Sequence, residues 1–287
     1  MILVTGAGGK TGKAVVRALA ARGAQVRAFA RRAEHEPVLR QRGAVEVIAG
    51  DLRSSSDLRR ALQGVRGVYH ICPNVHPDEV AIGQAAIAAA SAAGVAQFVF
   101  HSVLHPQTES MPHHWNKLRV EAALFTSGLP FTILQPAPYM QNLLAGWEAI
   151  AGRGVYSLPY PVKTRLSLVD LEDVAAAAAI VLTEPGHLDA AYELAGTPPM
   201  SQTEVAAILS QALGRPVAAV PESVDTWAKR VRAGGMSDAQ ISTLRKMFDY
   251  YARYGLPGNP NILGWLLRRQ PASLAGFAAG MAQAERS

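Results

Sequence analysis

The chain has 287 residues, 49% of them hydrophobic and 17% charged, with one cysteine and a formal net charge of +6. It is long enough for one large or two modest domains with a full core. It holds no apolar run of membrane-spanning length, and a single cysteine excludes an internal disulfide and a cysteine-rich metal site. The N-terminus opens straight into a strand pattern with no room for a signal peptide, so a cytoplasmic location is expected. Residues 1–70 carry thirteen basic and five acidic side chains, net +8, and the remaining 217 residues sum to −2. A basic N-terminal quarter suits a polyanionic ligand. No zinc-finger spacing and no basic region interleaved with aromatics is present, so nucleic acid is not an expected partner.

Ile2 to Val4 is a short apolar run, as a buried parallel strand requires. A turn with Gly6, Gly8, Gly9 and Gly12 follows, then a helix pattern carrying Ala14, Val15, Ala18 and Leu19 up to Gly23, then a strand from Gln25 to Ala30. Strand, glycine turn, helix and strand form the first unit of a dinucleotide-binding fold. A pyrophosphate has to approach bare backbone N–H groups at the helix N-terminus, so glycine is needed there. Gly6, Gly8, Gly9, Lys10, Thr11 and Gly12 are therefore candidate cofactor contacts, although the spacing Gly6-x-x-Gly9-x-x-Gly12 is not G-x-G-x-x-G. The second strand ends at Arg31 and Arg32, with no acid before Glu34. Arginine there suits a 2′-phosphate where an acid would grip a ribose hydroxyl, so NADP(H) is expected over NAD(H).

Val45 to Ile48 is a third strand, and Asp51 beyond it is expected to accept from an adenine amino group with Leu52 beside the ring. Ser56 is expected to start a helix to Leu62. Gly67 to Ile71 is a fourth strand, and Ile71, Cys72, Pro73 and Asn74 should line the middle of the cofactor, with Cys72 a packed residue. An alanine-rich helix from Glu79 to Ala93, a fifth strand Gln97–His101, a helix from His113 to Ser127 and a sixth strand Pro130–Leu134 continue the alternation. The fold expected is α/β, a Rossmann-type doubly wound parallel sheet. After Asn142 the alternation loosens into a smaller, mostly helical substrate lobe. Residues 1–150 are expected to form the NAD(P)-binding domain and 151–287 that lobe, with a soft boundary crossed by chain segments. Ser201 and Glu204 have the spacing of a capping box.

Ser102 leaves the fifth strand at the edge that should carry the cofactor. His113 and Lys117 are four apart, on one helix face. A hydroxyl, a proton carrier and a lysine can polarise a carbonyl, protonate a hydride acceptor and hold the nicotinamide ribose. Pro136, Pro138 and Tyr139 sit where the sixth strand feeds the second lobe, and Tyr139 can cover the ring or supply a proton. Ser102, His113, Lys117 and Tyr139 are the catalytic candidates; Ser102, Lys117, Pro136, Pro138 and Tyr139 also count as cofactor contacts. Trp147, Tyr156, Trp227, Met236 and Phe248 offer an apolar lining for a flat acceptor. His101, His105, His113 and His114 are separated by Pro106 and a loop and have only Glu109 among them, so no metal is expected.

The Thr5-Gly6-x-x-Gly9-x-x-Gly12 turn, Asp51, Ser102 and Lys117 resemble the extended and atypical short-chain dehydrogenase/reductases. Those enzymes carry Tyr-x-x-x-Lys; here His113 stands at the tyrosine position. With Leu134-Gln135-Pro136-Ala137-Pro138-Tyr139-Met140-Gln141-Asn142, the chain resembles the NmrA-like group, well over residues 1 to about 185 and loosely beyond. That resemblance implies either a reductase of quinones, azo dyes or triphenylmethane dyes, or an NADP-binding redox sensor. The missing tyrosine points to an electron-poor conjugated acceptor, or to a non-catalytic sensor with a protein partner, and away from a sugar-nucleotide epimerase. A small-molecule acceptor, no membrane and a homodimer complete the expectations about partners.

Overall fold

A computed structural model describes residues 1–286. Six parallel strands build most of the central sheet: β1 (Ile2–Val4), β2 (Val26–Ala30), β3 (Ala44–Ala49), β4 (Gly67–His70), β5 (Gln97–His101) and β6 (Phe131–Pro136). The strand order is β3-β2-β1-β4-β5-β6, with Ala190–Leu194 as a seventh strand beyond β6. The order reverses at β1, so the crevice at the carboxyl ends of β1 and β4 is the place where such sheets bind ligands. β1 to β4 are almost continuously apolar because helices cover both faces. Leu3, Phe29, Val68, Phe98, Phe100 and Ile133 lie in the core.

The chain divides into two compact units. The first takes Met1–Gln107, His113–Gln135 and Val174–Tyr192; the second takes Thr108–Pro112, Pro136–Asp173 and Glu193–Ser287. Val174–Tyr192 thus returns to the first unit, although it lies beyond residue 150. Within the first unit, the Glu79–Ala92 helix packs closely on Pro112–Phe125: a Cβ on Gly83 would meet Val120 Cγ1 at 2.6 Å. The Ser55–Leu62 helix is capped by Ser54, whose hydroxyl accepts from Asp57 N at 3.2 Å. Ser56 is therefore inside the helix and not its cap, because only a residue three before Asp57 reaches that amide.

In the second unit, Val155–Leu158 pairs in parallel with Ala218–Pro221, and Arg165–Leu166 pairs antiparallel with Met200–Ser201. The expected capping box is present: Ser201 Oγ accepts from Glu204 N and the Glu204 carboxylate from Ser201 N. The five apolar residues expected to line one pocket separate into two cores. Tyr156 packs with Trp147, while Trp227 and Phe248 pack with Met236. A helix over Pro260–Leu267 follows directly on the glycine- and proline-rich stretch Gly255–Pro260, in a segment to which the sequence pattern assigns no element. Proline at its first position and the Asn259 cap start it, a signal hidden among loop residues. Among the described residues, no helix is long and apolar enough to cross a membrane.

Candidate functional site

The glycine turn is built by two close approaches. Gly6 has φ +58°, and a Cβ there would lie 2.8 Å from Ile71 Cγ2. A Cβ on Gly12 would lie 2.4 Å from the Gly6 carbonyl, so this glycine lets the Lys10–Ala21 helix sit against the turn. Thr5 Oγ1 accepts from Ile71 N at 3.0 Å and tethers the turn to the end of β4. Gly9 differs from the other two. A Cβ there would touch only the Gly6 carbonyl, at 3.4 Å, and its φ of −77° suits any residue. No side chain caps this helix and no acid lies in its first turn. The cradle thus has the backbone approach and the helix pole that a pyrophosphate needs.

Arg31 and Arg32 are exposed beyond β2. Arg32 pairs with Glu34 at 2.8 Å. Asp51, at the end of β3 with Leu52 next to it, takes the Arg53 guanidinium at 2.7 Å. Asp51, expected to accept from an adenine amino group, accepts here from Arg53. At the end of β4, Cys72 is buried, and burial together with the Glu79 carboxylate pushes its thiol well above the ordinary range. Ile71 is half-buried, and Pro73 and Asn74 are exposed beside it.

Near the end of β5 the helix Pro112–Phe125 carries the polar side chains Lys117, Glu121, His113 and His114. Lys117 Nζ donates to Glu79 Oε1 at 2.9 Å and to the His101 carbonyl at 3.1 Å, and it lies 5.2 Å from the centre of the Phe100 ring. The Ser102 hydroxyl donates to Glu121 Oε1, and Gln135 Nε2 donates to both oxygens of that carboxylate, at 3.0 and 3.1 Å. Burial raises the Glu121 carboxyl against the pull of these hydrogen bonds. Ser102 is itself buried, so its proton serves Glu121. The His113 ring stands edge-on to His114 with centroids 4.5 Å apart. His113 Nδ1 is buried with no protein partner, and His114 Nδ1 lies 3.2 Å from the His105 carbonyl. His105 has φ +55°, a strained value for a residue before proline.

Burial drives four histidines of this unit toward the neutral form. His70, His101 and His114 fall to about 3, and His113 to about 4. The Lys117 ammonium adds to the effect at His70, His101 and His113. In the unfolded chain each takes up a proton near pH 6.5, while the folded chain refuses it until pH 3 to 4. The unfolded state then binds more protons between these values, so stability is complete above about pH 6.5 and lost as pH falls. Each group contributes up to about 1.4 kcal/mol per pH unit in that window. Urea unfolding from pH 7.5 down to 4.5 should show a steep drop in midpoint below pH 6.5; a level midpoint would contradict the buried neutral rings.

Pro136, Pro138 and Tyr139 belong to the second unit. The Pro138 carbonyl accepts from Val169 N at 3.0 Å, and Tyr139 forms a parallel bridge with Val169 just before a short 3-10 turn, Met140–Gly146.

Residues 1–273 match the NmrA-like family. The chain belongs to the NmrA-like family. It is 36% identical over 253 residues to the NAD(P)H azoreductase of Xenophilus azovorans, a match covering 86% of each chain. The NADPH-dependent quinone oxidoreductase of Escherichia coli, solved with NADPH, superposes with a TM-score of 0.86 at 28% identity, covering 98% of this chain and 99% of that one. The Citrobacter sp. triphenylmethane reductase, solved with NADP(H), gives 0.85 at 26% identity, covering 98% and 100%. The Rossmann-type fold expected from the glycine turn and the strand alternation is the fold of this NmrA-like chain and of those structures.

Four polar residues of the candidate site were not singled out from the sequence: Arg53, Glu79, Glu121 and Gln135. Glu121 carried a readable signal, since it is four residues after Lys117 and so one turn along the same helix face. Glu79 carried none. It reads as an ordinary acid in a first helical turn, and only the packing of two helices takes it to Lys117.

Proposed function

We propose that this protein is a reductase that binds NADPH in preference to NADH and reduces a small, conjugated, electron-poor acceptor such as a quinone or an azo compound. Reduced nicotinamide supplies the hydride when bound. The turn at Gly6, Gly9 and Gly12 holds the pyrophosphate, and the cluster of Lys117, His101 and Cys72 at the ends of β4 and β5 orders the floor of the crevice. The observation that carries the reading is the setting of His113, whose Nδ1 is buried with no protein partner and whose ring is packed edge-on to His114. A ring whose pKa is pushed down to about 4 is neutral at pH 7 and is a poor acid. The Ser102 proton is committed to Glu121. An acceptor that needs a strong protein acid is poorly served here, whereas a quinone or azo group accepts hydride and takes its proton from water. The likeness to an NAD(P)H azoreductase over most of both chains supports the same acceptor class.

The test is NADPH oxidation followed at the nicotinamide absorbance with a panel of quinones and azo dyes, with NADPH and NADP⁺ titrated in parallel. Turnover with no pH break near 6.5 attributable to His113 supports the reductase. Tight but unequal binding of the two redox forms with no turnover on any acceptor supports a sensor acting on a protein partner, because equal binding would shift nothing. Replacing Arg31 and Arg32 together by alanine should weaken NADPH binding and leave NADH binding nearly unchanged. Equal loss for both cofactors would refute the 2′-phosphate preference.

A further inference from the structure

We propose that Arg53, clamped by Asp51 beside Arg31, is a reader of the cofactor's 2′-phosphate, and that Asp51 is its positioning residue. This rests on the reading of the first unit as an NADPH site. β2 and β3 run parallel with Ala30 opposite Ala49, and Gly50 N donates to the Ala30 carbonyl at 3.0 Å. Arg31 therefore leaves the sheet opposite Gly50, one residue before Asp51, at its carboxyl edge. Asp51 Oδ1 accepts from Arg53 N at 2.9 Å and from Arg53 Nε at 3.1 Å. Asp51 Oδ2 accepts from Arg53 Nη2 at 2.7 Å and from Nε at 3.2 Å. Three Arg53 donors thus engage the carboxylate, with Nε shared between its two oxygens. An adenine amino group would have to displace a charge-assisted bond to reach Asp51.

The loop that presents Arg53 is held from several sides. Asp51 N donates to Asp57 Oδ2 at 3.1 Å, Ser54 N to the Asp51 carbonyl at 3.0 Å, and Arg60 Nη2 to the Ala49 carbonyl at 2.8 Å. A Cβ on Gly50 would lie 2.7 Å from the Phe29 ring, so the turn sits tight on the strand. On the other side, the 3-10 turn Ala33–His35 folds back over the glycine turn, with His35 Cδ2 only 2.4 Å from where a Gly8 Cβ would be. The Arg53 guanidinium is thereby fixed before any ligand arrives, which lowers the ordering cost of binding. Asp51 engages its Nε and Nη2 edge, and the Nη1 donors are those a phosphate would take. Arg31 adds a weaker, longer-range attraction to the same carboxylate, whose hydrogen bonds all come from Arg53. Two guanidinium groups and one carboxylate leave this edge with an excess positive charge, which attracts a phosphomonoester and gives a ribose hydroxyl no comparable gain.

The experiment is a titration of NADPH, NADH and 2′,5′-ADP against the full-length protein and its Arg53→Ala, Asp51→Ala and Arg59→Ala variants. Thermal melts confirm folding, which the exposed Arg53 should not disturb. The expected result is a roughly 10- to 100-fold loss of NADPH and 2′,5′-ADP affinity in Arg53→Ala, with NADH changed by less than about twofold. Asp51→Ala should show the same selective loss in smaller degree, and Arg59→Ala, an exposed charge on the next helix, should show none. Equal weakening of NADH and NADPH in Asp51→Ala would mean that Asp51 touches adenine and would overturn its positioning role. No selective loss in Arg53→Ala overturns the assignment of Arg53 while leaving the NADPH site intact. A wild-type protein that binds none of the three ligands overturns the cofactor reading and this proposal together.

Discussion

Glu79→Ala should destabilise the protein by about 3–5 kcal/mol, the usual result of removing one partner from a buried ion pair. The Glu79 side chain is 5% exposed and that of Lys117 is 14% exposed, and their charged atoms are 2.9 Å apart. Without the Glu79 carboxylate, the ammonium keeps the His101 carbonyl, the face of the Phe100 ring and a longer-range attraction to Glu121, which is already engaged by Ser102 and Gln135. None of these cancels a full charge in a site that water scarcely reaches. His101, His70 and His113 are held neutral and supply no compensating negative charge. Lys117→Met should cost a similar amount by stranding Glu79. Changing both together, Glu79→Leu with Lys117→Met, should recover most of the loss, since an apolar pair of similar volume has no charge to desolvate. Urea unfolding of the two single variants and the double variant at pH 7.5 measures this. A single-variant loss below about 1 kcal/mol would falsify the claim that the pair is buried and coupled.

Gly9→Ala and Gly12→Ala should separate cofactor binding from folding, although both lie in one turn. The Cβ of Gly12→Ala would be placed 2.4 Å from the Gly6 carbonyl and 2.6 Å from Ala7 Cα, and both are backbone atoms that no side-chain rotation can move. The Lys10–Ala21 helix has to shift, with an overpacking cost of about 1–3 kcal/mol. The cradle is distorted as well, so dinucleotide binding should fall along with stability. Gly9→Ala is accommodated by the empty protein, because its φ of −77° and ψ of 168° are open to alanine and its Cβ meets one atom at 3.4 Å. Its stability should stay within about 0.5 kcal/mol of the original. In the proposed cofactor site, its new methyl occupies the face that the pyrophosphate approaches. Losing one charge-assisted bond there costs about 1.5–3 kcal/mol, or roughly 10- to 150-fold in NADPH affinity. Thermal melts with and without NADPH distinguish the two. If Gly9→Ala binds NADPH as well as the original, the phosphates do not sit over that glycine.

Several features were legible in the amino-acid order itself. The apolar run Ile2–Val4, the glycines that follow it and the regular return of strands determine a doubly wound sheet, because period and turn chemistry are local properties. Arg31, with no acid beside it at the end of β2, and His113 in place of a tyrosine, are also properties of the order alone. Only the tertiary structure decided how the polar groups pair. Asp51 is engaged by Arg53, Ser102 gives its proton to Glu121, and Lys117 reaches a carboxylate 38 residues away in sequence. It also decided that His113 is neutral, since a pKa depends on what surrounds a ring and not on its neighbours in the chain. Spacing along a helix or strand says which side chains share a face. Which charge meets which, and how much water remains around them, depends on how separate elements pack.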